Sequence, residues 1–354
     1  MLRAARPIRI FTPSFADDAG TNAQNLTVKE VVARLDPARF HVTMFTIGAP
    51  DPRIAARPNT RLRRWGARGN TLRTMLHLLT DVPDVCYFPR EGPLDDKFFS
   101  MRRHLRWHTA VVTYIVSGGL ERFGPRPGQL RNLRQATAVY GNNGYITNLI
   151  RQMGFEAETI YDGVDRRYFF PAEIGRAGGK APRALFAGSF RTYKRADIVV
   201  QLAGRWPGVD FCLAGVGEEQ ESCRQLAAKL GCRNVQFLGH LAQQQLGEEM
   251  RCADIFVFPS EVEGHPQVLL QAAACGLPCV AMSSYHPDVV VNGETGFLAD
   301  GEEDFAEKFA RLVQDSSMRA AMSKAAALHA ARFDWDLAAS QWAEAFERVM
   351  ERKV

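Results

Sequence analysis

The sequence predicts two α/β domains, each built on a doubly wound parallel sheet. Short apolar strands alternate with amphipathic helical stretches through most of the 354 residues. The strands are apolar along their whole length, which is typical of parallel strands that helices cover on both faces. A stretch rich in proline and glycine, 171–182, separates two sets of such strands and indicates a linker.

The strands of the two sets divide the chain into three parts. We predict a first domain over 1–170, a second over 181–333, and an amphipathic helix over 336–354 that crosses back to pack on the first domain. Two such domains face each other across a cleft, and ligands bind there at the carboxyl ends of the strands. The predicted strands are 8–13, 42–47, 85–88, 110–116, 138–140 and 158–161, then 184–187, 210–214, 235–238, 255–258 and 278–282.

Composition indicates an ordinary globular protein, with 46% hydrophobic and 23% charged residues. No apolar stretch approaches the roughly 18 residues that a membrane-spanning helix needs. The first fifteen residues lack the apolar core of a signal peptide and are predicted to form a strand. Seven cysteines without paired CxxC spacing favour a reducing compartment and no zinc site. We therefore expect a cytoplasmic location and no metal.

The net charge of +5 is unevenly distributed along the chain. Residues 1–165 hold 23 Lys and Arg against 15 Asp and Glu, and the arginines concentrate in 53–73 and 102–134. Such a surface suits an anionic lipid headgroup or an acidic acceptor. If it binds lipid headgroups, we expect peripheral contact with the inner face of a membrane. A merely solvated basic surface is the alternative. Nucleic acid is not expected, because no recognised binding motif accompanies the charge.

The most informative segment of the chain is 255–278. A buried strand, 255–258, ends in a turn that carries Glu263 and Gly264, and a helix follows that is predicted to begin at Pro266. The helix is predicted to stop at Gly276 and Pro278. Free N–H groups and the helix dipole attract phosphate to the start of such a helix. The segment therefore predicts a site for a phosphorylated ligand, with Glu263 placed to hold hydroxyl groups.

Four other loops at strand ends are candidates for the same ligand. Arg191, Lys194 and Arg195 follow the first strand of the second domain, where cations suit a pyrophosphate. The glycines at 215 and 217 allow close approach of backbone to a ligand, although neither a full dinucleotide fingerprint nor a phosphate-binding P-loop occurs. His240 and Leu241 follow the next strand, where an ordinary turn is the alternative. In the first domain, Gly20 lies between the first strand and a helix.

Together these loops resemble the retaining GT-B glycosyltransferases of the group 1 type, whose motif is Glu, seven residues, Glu. The resemblance covers residues 181–333 and extends more loosely over the first domain. It is carried, in order, by five stretches: 161–165, 188–197, 235–239, 263–278 and 292–297. It implies a first domain that binds the acceptor and a second, Rossmann-like domain that binds the nucleotide sugar.

The resemblance also implies roles for individual residues. Glu263 and Lys194 are the implied catalytic residues: the first binds hydroxyls of the donor sugar, and the second neutralises the diphosphate leaving group. No metal or other cofactor is required, because side-chain cations and a helix terminus supply the positive charge. The implied donor-binding residues are Gly20, Arg191, Arg195, Gly217, His240, Leu241, Gly264, His265, Pro266, Gln267, Val268, Leu269 and Gln271.

Three positions depart from the pattern of this family. Gln271 occupies the position of the second glutamate of the motif, which in the family binds the ribose hydroxyls. An amide at this position predicts weaker or altered nucleotide binding. Ser189 replaces the usual arginine, so Arg191 is the substitute. The histidine often found after the Val-Val-Thr strand is missing from 111–115.

Two functions of different classes follow from these residues. The first is sugar transfer from a nucleoside diphosphate sugar, with UDP preferred over GDP, to a glycan, a lipid-linked intermediate or a small acceptor. Surface polysaccharide or glycoconjugate synthesis is the implied setting. The second is a non-catalytic sugar-nucleotide-binding partner or sensor subunit, which Gln271 favours. The donor sugar, the acceptor and the oligomeric state are not predicted.

Overall fold

A computed structural model gives the structure of the chain, and it describes residues 6–18, 23–66, 69–116, 120–172 and 181–351. The chain divides into two compact units. Unit 1 comprises Met1–Asp162 together with Trp335–Val354, and unit 2 comprises Gly163–Asp334. Both units are parallel α/β structures, as the sequence predicts.

Unit 1 contains a seven-stranded sheet in the order β3-β2-β1-β4-β5-β6-β7, and every described pairing in it is parallel. This order, with strands added outward on both sides of β1, defines a doubly wound sheet. The elements of unit 1 are β1 Ile8–Phe15, α1 Ala23–Arg34, β2 Phe40–Thr46, α2 Pro52–Ala56, β3 Thr60–Arg64, α3 Asn70–Thr80, β4 Val85–Tyr87, α4 Pro93–His104, β5 Ala110–Ile115, α5 Leu120–Phe123, α6 Pro127–Gln135, β6 Ala138–Gly141, α7 Gly144–Gln152 and β7 Glu158–Thr159.

Unit 2 contains a six-stranded sheet in the order β10-β9-β8-β11-β12-β13, again with parallel pairing throughout. Its elements are β8 Arg183–Ala187, α8 Ala196–Arg205, β9 Asp210–Ala214, α9 Gln220–Lys229, β10 Val235–Gly239, α10 Gln243–Cys252, β11 Ile255–Phe258, α11 Gln267–Ala274, β12 Cys279–Met282, β13 Gly296–Ala299, α12 Glu302–Gln314 and α13 Ser316–Ala330.

The last helix, α14 Trp335–Glu351, belongs to unit 1. Trp342 is fully buried, and its ring lies 4.8 Å from Tyr87, 5.0 Å from Tyr114 and 5.1 Å from Tyr140. Burying an aromatic ring of this size removes a large apolar area from water. The C-terminal helix is therefore part of the core of unit 1 and not an appendage.

The division between the units falls earlier than the predicted linker. Residues 163–170 belong to unit 2, because Val164 N donates to Phe333 O at 3.2 Å and Arg166 donates to Ala330 O at 2.6 Å. Most of the predicted linker, 173–180, lies outside the described residues. In the part of the chain that the structure describes, no helix combines the length and the apolar character needed to cross a membrane.

Candidate functional site

The loops that carry most of the predicted site residues lie along one edge of the unit 2 sheet. Parallel strands end at the same edge, and β8, β11 and β12 are neighbours in the sheet. The loop after β8 spans 188–195, the loop after β11 spans 259–266, and a short 3-10 turn, Ser283–Tyr285, follows β12. The sheet order therefore brings segments distant in sequence to one place.

Lys194 and Glu263 form an ion pair between the first two of these loops. Lys194 Nζ bonds Glu263 Oε1, and the two side chains are only 13% and 12% exposed. Ser260 Oγ donates to the same carboxylate oxygen at 2.6 Å. The ammonium group also lies 5.2 Å from the centre of the Phe258 ring, within the range of a cation–π contact. The two residues predicted to be catalytic are thus in direct contact.

The backbone joins the same two loops. Glu261 N donates to Tyr193 O at 2.9 Å, and the Tyr193 ring lies 5.5 Å from Lys194 Nζ. Lys194 Nζ is therefore within cation–π range of two aromatic rings, those of Tyr193 and Phe258. Restricting a flexible lysine in this way lowers the conformational entropy it loses when it binds an anion.

Arg195 has a different environment from Lys194. It has left-handed backbone angles, φ 50° and ψ 42°, and its guanidinium pairs with Asp197 at 3.0 Å, Glu261 at 2.7 Å and Glu302 at 2.6 Å. The hydrogen bond to Asp197 is the largest of the effects that raise the pKa of Arg195. Three carboxylates already compensate this cation, so it serves to join three segments of unit 2. Its predicted contact with a diphosphate remains a prediction.

Arg191 is exposed, at the position preceding the 3-10 turn Thr192–Lys194. Among the described residues, no carboxylate pairs with its guanidinium. Of the three predicted cations, Arg191 therefore has its charge uncompensated, Lys194 shares its charge with Glu263, and Arg195 is fully paired.

Close backbone packing explains why glycines occur at 215 and 217, after β9. A Cβ atom at Gly215 would lie 1.8 Å from Gly188 O, and one at Gly217 would lie 2.4 Å from Phe190 O. Phe190 N donates to Val216 O at 3.0 Å, so the two loops pack backbone against backbone. The packing accounts for Gly217 without a ligand, and its predicted role in binding stays a prediction.

His240 and Leu241 follow β10, which is the outermost strand on one side of the unit 2 sheet. They lie at the same carboxyl edge of the sheet as the loops after β8 and β11. His240 is exposed and Leu241 is half-buried. Gly239, which precedes them with φ 70°, accepts a hydrogen bond from Gly215 N at 2.7 Å. The turn therefore has the structural role that the sequence left open, and the predicted contact of its two residues with a base is untested.

Helix α11 begins one residue later than predicted. Pro266 is the N-cap residue, with φ −68° and ψ 117°, and Gln267 is the first helical residue. An extended ψ at the N-cap is usual, because that residue only flanks the helix. The first N–H groups of the helix, at Gln267 and Val268, have no acceptor within it. Leu269 N donates to Pro266 O at 3.0 Å, and Leu269 is buried.

The residues around this helix end are mostly buried. Gly264 and His265 are buried, and the His265 ring lies 5.4 Å from Phe333 in an edge-on arrangement. Gln271 is half-buried with a buried Oε1, which accepts no hydrogen bond from any residue that the structure describes. A buried carbonyl oxygen without a donor is costly, so Gln271 is suited to accept a hydrogen bond from a bound group.

The sequence reasoning missed Ser260 and Tyr285. Tyr285 is buried, and within the described part of the chain its hydroxyl has no hydrogen-bond partner. Burial raises the pKa of Tyr285 well above its usual value, and the Glu263 carboxylate adds to the effect. Ser260 precedes Glu263 by three residues, so its position in the sequence was a usable signal. No comparable signal marks Tyr285.

Gly20, the one predicted site residue of unit 1, lies outside the described residues. Among the residues that the structure does describe, no group of three His, Cys, Asp or Glu side chains is placed to hold a metal ion. The expectation that the protein needs no metal or cofactor stays a prediction.

The fold and the site together define a class: a protein with two doubly wound domains and, in the second, a cationic loop beside a helix N-terminus. Residues 172–329 match the family model described as glycosyl transferases group 1. Among curated relatives, the D-inositol 3-phosphate glycosyltransferase of Streptomyces avermitilis is 32% identical over 229 residues, 56% of this chain and 49% of that protein. The enzyme of that name from Mycolicibacterium smegmatis is 30% identical over 208 residues, 54% of this chain and 48% of that protein. The chain thus spans about half the length of the curated relatives it matches.

Solved structures match over nearly the whole chain. Sucrose-phosphate synthase from Thermosynechococcus elongatus gives a TM-score of 0.83 at 18% identity, covering 98% of this chain and 100% of that one. Anabaena Alr3699/HepE, solved in complex with UDP and glucose, gives 0.76 at 17% identity, covering 96% and 100%. The structural matches confirm the GT-B fold, and the family model and the relatives support a group 1 glycosyltransferase.

Proposed function

We propose that the chain is a retaining glycosyltransferase that moves a sugar from a nucleoside diphosphate sugar, with UDP favoured, to a glycan, a lipid-linked intermediate or a small acceptor. The observation that carries the proposal is the pair of Lys194 and Glu263 beside the start of α11. An ammonium group suited to an anion, a carboxylate suited to hydroxyl groups and the first N–H groups of a helix lie at one end of unit 2, which supports the proposal.

The residues divide the work of donor binding. Glu263 accepts hydrogen bonds from donor sugar hydroxyls, and Gly264 and His265 line the sugar and phosphate. Lys194 exchanges its contact with Glu263 for the diphosphate, and Arg191, exposed and without a carboxylate partner among the described residues, supplies a second positive charge. These cations and the α11 terminus provide the charge that a metal ion supplies elsewhere, so we propose that transfer is metal-independent.

The transfer itself breaks the bond between sugar C1 and the diphosphate oxygen and forms a bond from C1 to the acceptor oxygen. The acceptor proton passes to the departing phosphate, which leaves as nucleoside diphosphate. Attack on the face that the leaving group vacates retains the anomeric configuration. Lys194 stabilises the negative charge that accumulates on the departing phosphate in the transition state.

Two similar proteins support the choice of substrates. Anabaena Alr3699/HepE was solved with UDP and with UDP-glucose, which supports a uridine donor. The curated relatives are named for D-inositol 3-phosphate, an anionic acceptor, which agrees with an acidic acceptor for the basic unit 1. We place the activity in the cytoplasm, in surface polysaccharide or glycoconjugate synthesis, with peripheral membrane contact through unit 1.

Gln271 favours a second candidate, a non-catalytic partner or sensor that binds a sugar nucleotide. The amide removes the negative charge that the family motif has at this position, and its oxygen is buried. This candidate predicts that nucleotide binds and that no sugar is transferred.

The test is Glu263→Gln with UDP-sugars as donors. We expect transfer to fall by about a hundredfold or more, because the variant loses charge that acts in the transition state. UDP binding is expected to change less than threefold. Glu303→Gln, the same change at an exposed residue of α12, is the control and should match the wild type. Unchanged transfer by Glu263→Gln contradicts the assigned role, and UDP binding without any transfer by the wild type supports the second candidate.

A further inference from the structure

Helix α3 of unit 1 has an unusual outer face. Leu72, Leu76 and Leu79 are 65%, 55% and 49% exposed. Their spacing of four and three residues places them on one side of the helix. Met75 and Leu78 on the other side are buried against the sheet. Three exposed leucines in a row form a contiguous apolar strip, which soluble surfaces usually avoid.

Positive charge is concentrated in the segment of the sequence that contains this strip. The segment 52–80 contains seven arginines and no Asp or Glu. Arg64, at the end of β3, and Arg73, on α3, are both exposed, and neither pairs with a carboxylate among the described residues. Arg73 Nη1 lies within 3.9 Å of where a Cβ on Gly66 would stand, so the guanidinium lies close to the end of β3.

The acidic residue at the end of the helix does not offset this charge. Asp81, which follows α3, bonds Arg61 at 2.8 Å and Arg9 at 3.2 Å. Its charge is therefore compensated within the fold. The face presents three apolar side chains beside at least two uncompensated guanidinium groups.

We propose that this face, Leu72, Leu76 and Leu79 with Arg64 and Arg73, binds the surface of an anionic lipid bilayer. The leucines enter the boundary between headgroups and acyl chains, and the arginines contact lipid phosphates. A second copy of the chain fits less well, because a symmetric interface would bring the same arginines against each other. The inference names the surface for the membrane contact proposed above and does not depend on the donor site.

The experiment is co-sedimentation of the full chain with vesicles, without any nucleotide. The vesicles are phosphatidylcholine alone or phosphatidylcholine with about a third phosphatidylglycerol. The wild type is expected to bind the anionic vesicles at least about tenfold more tightly, and binding is expected to weaken at high salt. The triple variant Leu72→Ser, Leu76→Ser, Leu79→Ser should lose about tenfold or more, since it removes most of the apolar contact.

A second triple variant, Leu230→Ser, Leu328→Ser, Leu337→Ser, changes equally many exposed leucines outside this face and should bind vesicles as the wild type does. Thermal unfolding of both variants checks that they fold. Equal vesicle binding by the α3 variant overturns the proposal. The proposal is also overturned if the wild type does not bind anionic vesicles but forms a dimer that the α3 variant no longer forms. Because UDP is absent, these outcomes are independent of whether the donor site functions.

Discussion

At the scale of single residues, neighbouring cations of the loop after β8 have different environments. Lys194 shares its charge with one carboxylate, whereas Arg195, the next residue, is compensated by three. From the sequence alone Arg191, Lys194 and Arg195 are three cations of one loop, and only the family resemblance gives Lys194 a separate role. The structure separates them, because pairing depends on the side chains that the sheet order brings near.

This difference predicts opposite results for two variants. Arg195→Gln should lower the free energy of unfolding by about 1 kcal/mol, because it leaves three partly exposed carboxylates together without their cation. Its effect on UDP affinity should be small. Arg191→Gln should leave stability unchanged and weaken UDP binding several-fold.

Urea unfolding and calorimetric titration with UDP measure the two quantities. A stable Arg195→Gln protein that no longer binds UDP would show that this guanidinium contacts the ligand. It would also mean that the three carboxylates release it on binding.

The sequence predicted Lys194 and Glu263 on separate loops at strand ends, and the structure brings the two side chains into contact. Motif spacing places residues on loops, and parallel strand order places the loops together. Neither determines rotamers, so the buried hydroxyl of Tyr285 was not predictable, whereas the position of Ser260 three residues before Glu263 was a usable signal.

At the scale of elements, strands with continuous apolar runs were predicted to within a few residues. Two strands, β3 and β13, were missed. β3 is an edge strand with the sequence Thr-Arg-Leu-Arg-Arg, and β13 has only four residues beginning with glycine. β3 is only partly buried, so its pairing in the sheet rather than its composition determines it, whereas β13 is mostly buried.

Asp162 joins three segments of unit 1 through its buried carboxyl. Thr27 Oγ1, on α1, donates to Asp162 Oδ1 at 2.8 Å, and Tyr114 Oη, on β5, lies 3.3 Å from the same oxygen. Asn142, after β6, is a further hydrogen-bond partner. Burial raises the pKa of Asp162 to about 6, and these hydrogen bonds only partly oppose the effect.

This pKa predicts how stability depends on pH. Between about pH 4 and pH 6 the folded protein binds a proton at Asp162 that the unfolded chain has released, so the free energy of unfolding falls as pH rises. The whole change is of order 3 kcal/mol. Asp162→Asn keeps the acceptor for Thr27 and should flatten this part of the profile, as measured by urea unfolding at several pH values. An unchanged profile would assign the slope to other groups.

At the scale of the whole molecule, the two units carry different chemistry on the same topology. Unit 2 holds the start of α11 and the Lys194–Glu263 pair. Unit 1 has the excess of arginine and the exposed leucines of α3. A doubly wound sheet specifies where loops converge but not what they bind, so the fold alone indicates no substrate.

This division was predictable from the sequence, because the charge asymmetry is a property of composition and the motifs are a property of residue spacing. It placed the change from one unit to the other at the linker, later than the structure does. Bonds such as that from Val164 N to Phe333 O connect residues far apart in sequence, and no local pattern signals them.

The most direct test of the donor site is calorimetric titration with UDP in the presence of EDTA, for the wild type, Lys194→Met and Lys324→Met. Lys324 is exposed on α13, so its variant controls for the loss of a positive charge. We predict that the wild type and Lys324→Met bind UDP equally without metal. Lys194→Met should bind at least about tenfold more weakly, since a charge-assisted contact to the diphosphate is lost. Equal binding by all three proteins would contradict the role of Lys194, and no binding by any of them would contradict a UDP site in unit 2.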